Sequence, residues 1–290
     1  MYHRIGTPGS PPGKLTVSPQ RFADHLEAIQ SRFETVPLAT IVEGMRAGAL
    51  PRRSVALTFD DGYVDNLLVA KPLLERFGVP ATVFVVSGYV GTSKPFWWDE
   101  LERICTQPQA LPATLRLVIA ARERTWRTTG ERRTLYRELR EAFAPLPETE
   151  REELVAELRA WSGARRGRSE AMSAEQLRSL VDGNLIEVGA HTVSHPSLPA
   201  LDRASQIAEI RGSRDRLAEL LGREVRLFSY PFGAHDRTTV ESARAAGTAC
   251  ACTTVGDGVQ SSGDPYRLPR LYVGDWAADE LVAAVAARLG

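Results

Sequence analysis

The chain has 290 residues, with 36 basic and 36 acidic side chains and a formal net charge of +0 at pH 7. Hydrophobic residues make up 43%, enough for a sizeable core in one large or two small globular domains and too few for a chain immersed in lipid. The balanced charge gives no basis for general binding to nucleic acid or to a membrane surface, and no run approaches the roughly 20 apolar residues of a spanning helix.

The chain opens "MYHRIGTPGSPPGKL", with no charged start followed by an apolar stretch, so no secretory signal is visible. Cysteines occur only at Cys105, Cys250 and Cys252, an odd number without metal-type spacing. Both features lead to the expectation of a reduced, cytoplasmic chain. "YHRI" (2–5) reads as a first strand, and "GTPGSPPG" (6–13) as a short stiff loop. In "SPQRFADHLEAIQSRF", Ser18 can cap a helix, Pro19 suits its first position, and Phe22, Leu26, Ile29 and Phe33 keep one face. "SVALTF" (54–59) and "ATVFVV" (81–86) read as strands.

From about 91 to 183 the pattern changes to charge-alternating stretches with almost no strand signal, read as a helical insertion. It contains a possible capping box at Ser173 and Gln176. Trp97 and Trp98 stand there as core anchors or, less expectedly, as the lip of a sugar site. "LIEVGA" (185–190), "RLFSYPF" (226–232), "ACACTT" (249–254) and "RLYV" (270–273) complete seven candidate strands. A long helix from Asp202 to Gly222 and one capped by Asp236 separate them. Strands alternating with helices imply a mostly parallel α/β sheet, open or closed as a barrel.

Three segments just after candidate strands carry chemistry. "LTFDDGY" (57–63) places Asp60 beside Asp61; the doublet either closes a strand as an Asp-Gly turn or faces something positive. "GAHTVSHP" (189–196) holds His191 and His195, with Pro196 disfavouring a helix there. Two histidines and a carboxylate suit a catalytic divalent ion, zinc first, with cobalt or nickel able to substitute. "FSYPFGAHD" (228–236) makes a rigid turn with exposed backbone amides.

Together, "TFDDG", "HTVSH" and "YPFG" resemble the motifs of the polysaccharide deacetylase family, the NodB-like carbohydrate esterases of family 4. "MYHRI" is similar to the Tyr-His start of a branch related to poly-N-acetylglucosamine deacetylases. The resemblance covers most of the chain outside 91–183. It implies a distorted, incomplete (β/α)7 barrel, a single catalytic domain over 1–290, and a substrate bearing N-acetyl groups. It further implies Asp60 as general base, with Asp61, His191 and His195 as metal ligands. The backbone of Phe232, held by Pro231, would form the oxyanion hole, and Tyr230 the wall.

The chain departs from the family pattern in two places. An arginine commonly found before the third motif is missing, and Arg270 is the expected substitute partner for Asp60 unless Arg226 reaches. No histidine follows His235, so the late Leu-x-His motif that often supplies the general acid is absent. The Tyr-His branch nominates His3 instead, with His235 as the other candidate. "GDWAADEL" resembles a family Asp-Trp motif, although Asp275 is equally a helix cap. The expected activity is N-deacetylation of an amino sugar or its polymer. The alternatives are a metal-dependent amidohydrolase on a non-sugar linear or cyclic amide and an inactive carbohydrate-binding scaffold.

Overall fold

The computed structural model describes residues 1–7 and 15–289. Residues 8–13 of the expected stiff loop lie outside the described residues. Arg4–Ile5 (β1) pairs in parallel with Thr16–Val17 (β2). Helix α1 (Pro19–Arg32) begins as its sequence dictates: Ser18 Oγ accepts from the Arg21 amide, Pro19 sits in the first turn, and Phe22, Leu26 and Ile29 are buried. Glu34–Thr35 (β3), α2 (Leu38–Ala47) and Ser54–Val55 (β4) follow, and β4 pairs with β3. Next come β5 (Leu57–Phe59), a π-helical turn (Asn66–Ala70), α3 (Lys71–Phe77) and β6 (Ala81–Val85).

Two compact units emerge, one of Met1–Thr92 with Ala171–Gly290 and one of Ser93–Glu170. The second holds α4 (Trp97–Thr106), an antiparallel hairpin of β7 (Thr114–Ile119) and β8 (Arg122–Arg127), α5 (Arg132–Phe143) and α6 (Glu148–Ser162). The hairpin corrects the all-helical expectation for this stretch. Leu115, Leu117 and Ile119 are buried and alternate with exposed Thr114, Arg116 and Val118, a period of two set among arginines. Trp97 and Trp98 are each 4% exposed, with Trp98 stacked on Phe96 at 4.7 Å. Both are core residues of this unit.

The chain re-enters the first unit at α7 (Ala174–Val181), with the Ser173–Gln176 capping box formed. It continues through β9 (Ile186–Ala190), α8 (Arg203–Leu221), β10 (Leu227–Ser229), α9 (Arg237–Ala245), β11 (Cys250–Cys252) and α10 (Ala278–Leu289). Asp202 and Asp236 cap α8 and α9. All three cysteines are buried and free. Asp275, read as a possible helix cap, instead accepts from the amide and hydroxyl of Ser18 at 2.8 Å each.

The central sheet is parallel, in the order β11-β10-β9-β6-β5. It curls into the distorted, barrel-like α/β fold that the motifs implied. Of the seven expected strands, "YHRI" meets the central sheet by a single bridge and otherwise pairs with β2, and "RLYV" (270–273) forms no strand, the nearest bridge lying just before it at Leu268. Tyr2 bridges Phe59, and Leu268 bridges Cys252. Between these staves the Met1 amine donates to the Leu271 carbonyl at 2.7 Å, and the Val273 amide donates to Met1 O at 3.1 Å. The consequence for function is that the first stave, β5 and the segment after β11 meet at one place, bringing His3, Asp60 and Arg270 together. No helix among the described residues is long and apolar enough to cross a membrane.

Candidate active site

The Asp-Asp doublet sits where β5 ends. Asp61 (φ 76°) and Gly62 (φ 78°) turn left-handed, so the doublet does close the strand with a turn. The next-door Val85 leaves no room at Gly62, where a Cβ would lie 3.0 Å from Val85 Cγ1. After β9 the chain again turns left-handed, at Thr192 (φ 67°) and His195 (φ 57°), and Phe232 (φ 60°) does so after β10. Such conformations cost non-glycine residues about 1–3 kcal/mol and gather at functional sites.

These turns aim three buried side chains at one point. Asp61 Oδ1 lies 3.5 Å from His191 Nε2 and 3.5 Å from His195 Nε2. One ligand atom from each residue can be chosen so that all lie within 4.8 Å of one another. Atoms held about 2.0–2.2 Å from a tetrahedral ion stand roughly 3.4 Å apart, so the cluster fits a divalent cation. The His191 ring is oriented by its Nδ1, which donates to the Ser229 carbonyl at 2.8 Å and turns Nε2 toward Asp61. Burial works against the charge on His191, but its hydrogen bond to Asp61 and the charges of Asp60 and Asp61 raise its pKa. Burial likewise disfavours the Asp61 carboxylate, and His191 and His195 outweigh it to lower the pKa.

Asp60 points to a different partner. Arg270 grips it in a bidentate pair, Nη1 to Oδ1 and Nη2 to Oδ2, both at 2.7 Å. The guanidinium is held in turn by the Thr253 carbonyl at 2.9 Å, Thr58 Oγ1 at 3.2 Å and Ser229 Oγ at 2.8 Å. Burial alone would push the Asp60 pKa up; the Arg270 charge, followed by His191, overrides it and holds the carboxyl well below the usual carboxylate range. Arg270 is thus the partner of Asp60, whereas Arg226 is exposed and pairs with Glu224. Ser229 serves both halves of the site, its carbonyl orienting His191 and its hydroxyl orienting Arg270.

His3 sits within electrostatic reach of Asp60, Asp61, His191 and Arg270. Its buried Nδ1 has no hydrogen-bond partner among the described residues, and its carbonyl accepts from Asn66 Nδ2 at 2.8 Å. Burial lowers its pKa, opposed by the two aspartates. His235 is not brought to the cluster in this way. Its Nδ1 meets the Gly233 carbonyl at 2.8 Å and its ring stacks on Tyr230 at 5.3 Å. His25 is held between the Tyr2 hydroxyl and the Trp276 carbonyl.

In the "YPFG" turn, Phe232 packs its ring edge-on against His195 at 4.7 Å. Pro231 is buried beneath it. Tyr230 is fully buried; its hydroxyl donates to the Tyr266 carbonyl at 3.1 Å and its amide donates to the Cys252 carbonyl at 3.0 Å. Its side chain is therefore part of the wall behind the turn. One residue without any sequence signal also reaches the site from outside: Glu209, in the middle of α8, binds the loop between the two histidines.

The curled parallel sheet and its buried Asp-His-His cluster define a candidate metallohydrolase. Residues 47–112 and 159–251, more than half of the chain, match the profile of the family described as Polysaccharide deacetylase, and the chain belongs to that family. YxkH of Bacillus subtilis strain 168, assigned provisionally to the polysaccharide deacetylases, is 30% identical over 93 residues. That match spans 31% of this chain and 32% of YxkH, about a third of the relative's length. Among solved structures, the Streptococcus pyogenes deacetylase PplD in complex with acetate superposes with a TM-score of 0.67 at 18% identity, covering 98% of this chain and 96% of that one. IcaB from Ammonifex degensii gives 0.63 at 20% identity, covering 98% and 94%. A de-N-acetylase from Aggregatibacter actinomycetemcomitans gives 0.63 at 15%, covering 98% and 97%. At these identities the structural likenesses show the shared fold.

Proposed function

We propose that this protein is a metal-dependent deacetylase that hydrolyses the N-acetyl group of an amino sugar or of its polymer or conjugate. The observation that carries the reading is the division of labour in the doublet: Asp61 faces His191 and His195, while Asp60 is held ionised by Arg270 a residue away. Asp61, His191 and His195 would hold the divalent ion, for which two nitrogens and a carboxylate favour zinc, with cobalt or nickel as substitutes. When bound, such an ion supplies Lewis-acid polarisation of the acetyl carbonyl and acidifies water.

The chain's own groups do the rest. Asp60 accepts the proton of the attacking water, and Arg270 fixes the direction of its carboxylate. The Phe232 backbone amide, on its strained turn over Pro231, faces the charge that develops on the carbonyl oxygen. His3, with a buried ring nitrogen near both aspartates, delivers a proton to the leaving amine. A reducing, cytoplasmic location is part of this proposal and would favour an intracellular acetylated substrate.

The test is release of acetate from a panel of N-acetylated amino sugars and their oligomers, after chelation and after metal return. Activity that vanishes with the chelator and returns with zinc or cobalt supports the reading. Asp60→Asn is expected to keep its metal and lose roughly 10²- to 10⁴-fold in turnover. Full activity of that variant would reduce Asp60 to a turn residue. Release from simple non-sugar amides alone would instead favour a different amidohydrolase.

A further inference from the structure

The loop from His191 to His195 is the least relaxed part of the cluster, with left-handed backbone at Thr192 and at His195 itself. Its carbonyls are held from one side: the Ser87 amide donates to Thr192 O at 3.1 Å and the Gly88 amide to Val193 O at 2.9 Å. That approach is close enough that a Cβ on Gly88 would stand 2.4 Å from Val193 O. From the other side, α8 presents Glu209. Its Oε2 accepts from the amides of Val193 (2.8 Å) and Ser194 (3.0 Å), and its Oε1 accepts from Ser194 Oγ (2.8 Å). Thus one carboxylate ties down the amides of both residues that separate the left-handed pair, and Ser194 is only 2% exposed.

We propose that Glu209 is a positioning residue for the metal site: it locks the His191–His195 loop so that His195 Nε2 stays at ligand distance from Asp61. The inference rests on reading Asp61, His191 and His195 as metal ligands. Without Glu209, two partly buried amides and a hydroxyl lose their acceptor, and the loop is free to leave its strained turn. His191 keeps its anchor in the Ser229 carbonyl, whereas the His195 amide is tied to Thr192 Oγ1 at 3.0 Å, within the same loop that Glu209 holds, so His195 moves with that loop. The neighbouring Gly212 on α8, where a Cβ would lie 3.3 Å from Val193 Cγ2, shows how closely the helix and loop are fitted.

The experiment is titration of the metal-free protein with Co²⁺, reading affinity against a competing chelator and ligand geometry from the visible absorption of the bound ion. Glu209→Ala is expected to weaken binding by about 10- to 100-fold, the usual scale for groups that orient metal ligands, and to alter the Co²⁺ spectrum. Glu209→Gln, whose amide oxygen can still accept from both backbone groups, is expected to restore most of the affinity. Asp202→Ala removes the cap of the same helix and controls for general weakening of α8; it is expected to lower melting temperature without changing affinity or spectrum. Should Glu209→Ala fail to fold, Glu209→Asp takes its place, with an expected loss of at least about fivefold. Wild-type affinity and spectrum in either variant overturn the proposal. A wild-type chain that takes up no Co²⁺ removes the metal reading itself and this inference with it, an outcome distinct from a binding-competent Glu209 variant.

Discussion

Adjacent carboxylates survive burial here because each has its own compensating charge, and the two compensations differ in kind. Asp60 is paired once and for all with Arg270, so it is an acceptor of protons only in passing. His3 has no such partner on its Nδ1 among the described residues, and burial holds its pKa below the ordinary 6.5. A donor of this kind is protonated below its pKa and empty above it. Turnover of an unactivated amide is therefore expected to fall as pH rises through a value under 6.5, while an activated acetate ester keeps a flat profile there. His3→Ala should lose roughly 10²- to 10⁴-fold on the amide, spare the ester and abolish this limb. If His235→Ala shows that pattern and His3→Ala does not, the donor is His235 despite its stacking on Tyr230.

Among the elements, the segment after β11 does the most with the least regular structure. It bridges β11 at Leu268, receives the Met1 amine at Leu271, and sends Arg270 inward to Asp60. Arg270 is thus both a brace between staves and the group that sets the Asp60 charge. Asp60 titrates below the ordinary 3.8 in the folded chain, so the pair's contribution is complete above the unfolded value and disappears as pH falls through the folded one. Arg270→Met leaves a buried carboxylate unpaired, a lesion that typically costs 3–5 kcal/mol, measurable by urea denaturation at pH 7. The same change should lift the acid limb of the activity profile, because the Asp60 pKa rises. Lost stability with an unmoved limb would leave Arg270 a brace alone.

At the scale of the molecule, the chain forms two compact units. Trp97 and Trp98 are buried within that of Ser93–Glu170, where Trp97 also packs under the buried Arg151 guanidinium at 5.1 Å. A lip of a sugar site would expose a ring face, and these rings are almost wholly enclosed. Trp98→Ala is accordingly expected to destabilise this unit by about 3–5 kcal/mol, seen in thermal or denaturant melts. A raised KM with unchanged stability would return the tryptophans to substrate binding. We propose that the Ser93–Glu170 unit is an insertion into a single catalytic domain; a chain lacking it that still folds and binds metal would support this.

What could be read from the sequence was whatever is local along the chain. Asp60 with Asp61, His191 with His195, and the Pro231–Gly233 turn are each a few residues long and follow a strand, and the caps at Ser18, Asp202 and Asp236 lie next to the amides they serve. Periodicity carries the order of strands and helices, although in β7 a two-residue alternation is masked by surrounding arginines. Contacts between distant segments have no such signature. Arg270 reaches Asp60 across 210 positions and His3 stands near the doublet, placements expected only through the family resemblance and not from local pattern, while Glu209, 15 residues from Ser194 on an otherwise ordinary helix, is not expected at all. The sequence by itself determined which groups could bind a cation, because their chemistry is intrinsic to the side chains. The tertiary structure decided which groups orient them and which carboxylate stays charged, because orientation and pKa depend on neighbours that only folding supplies.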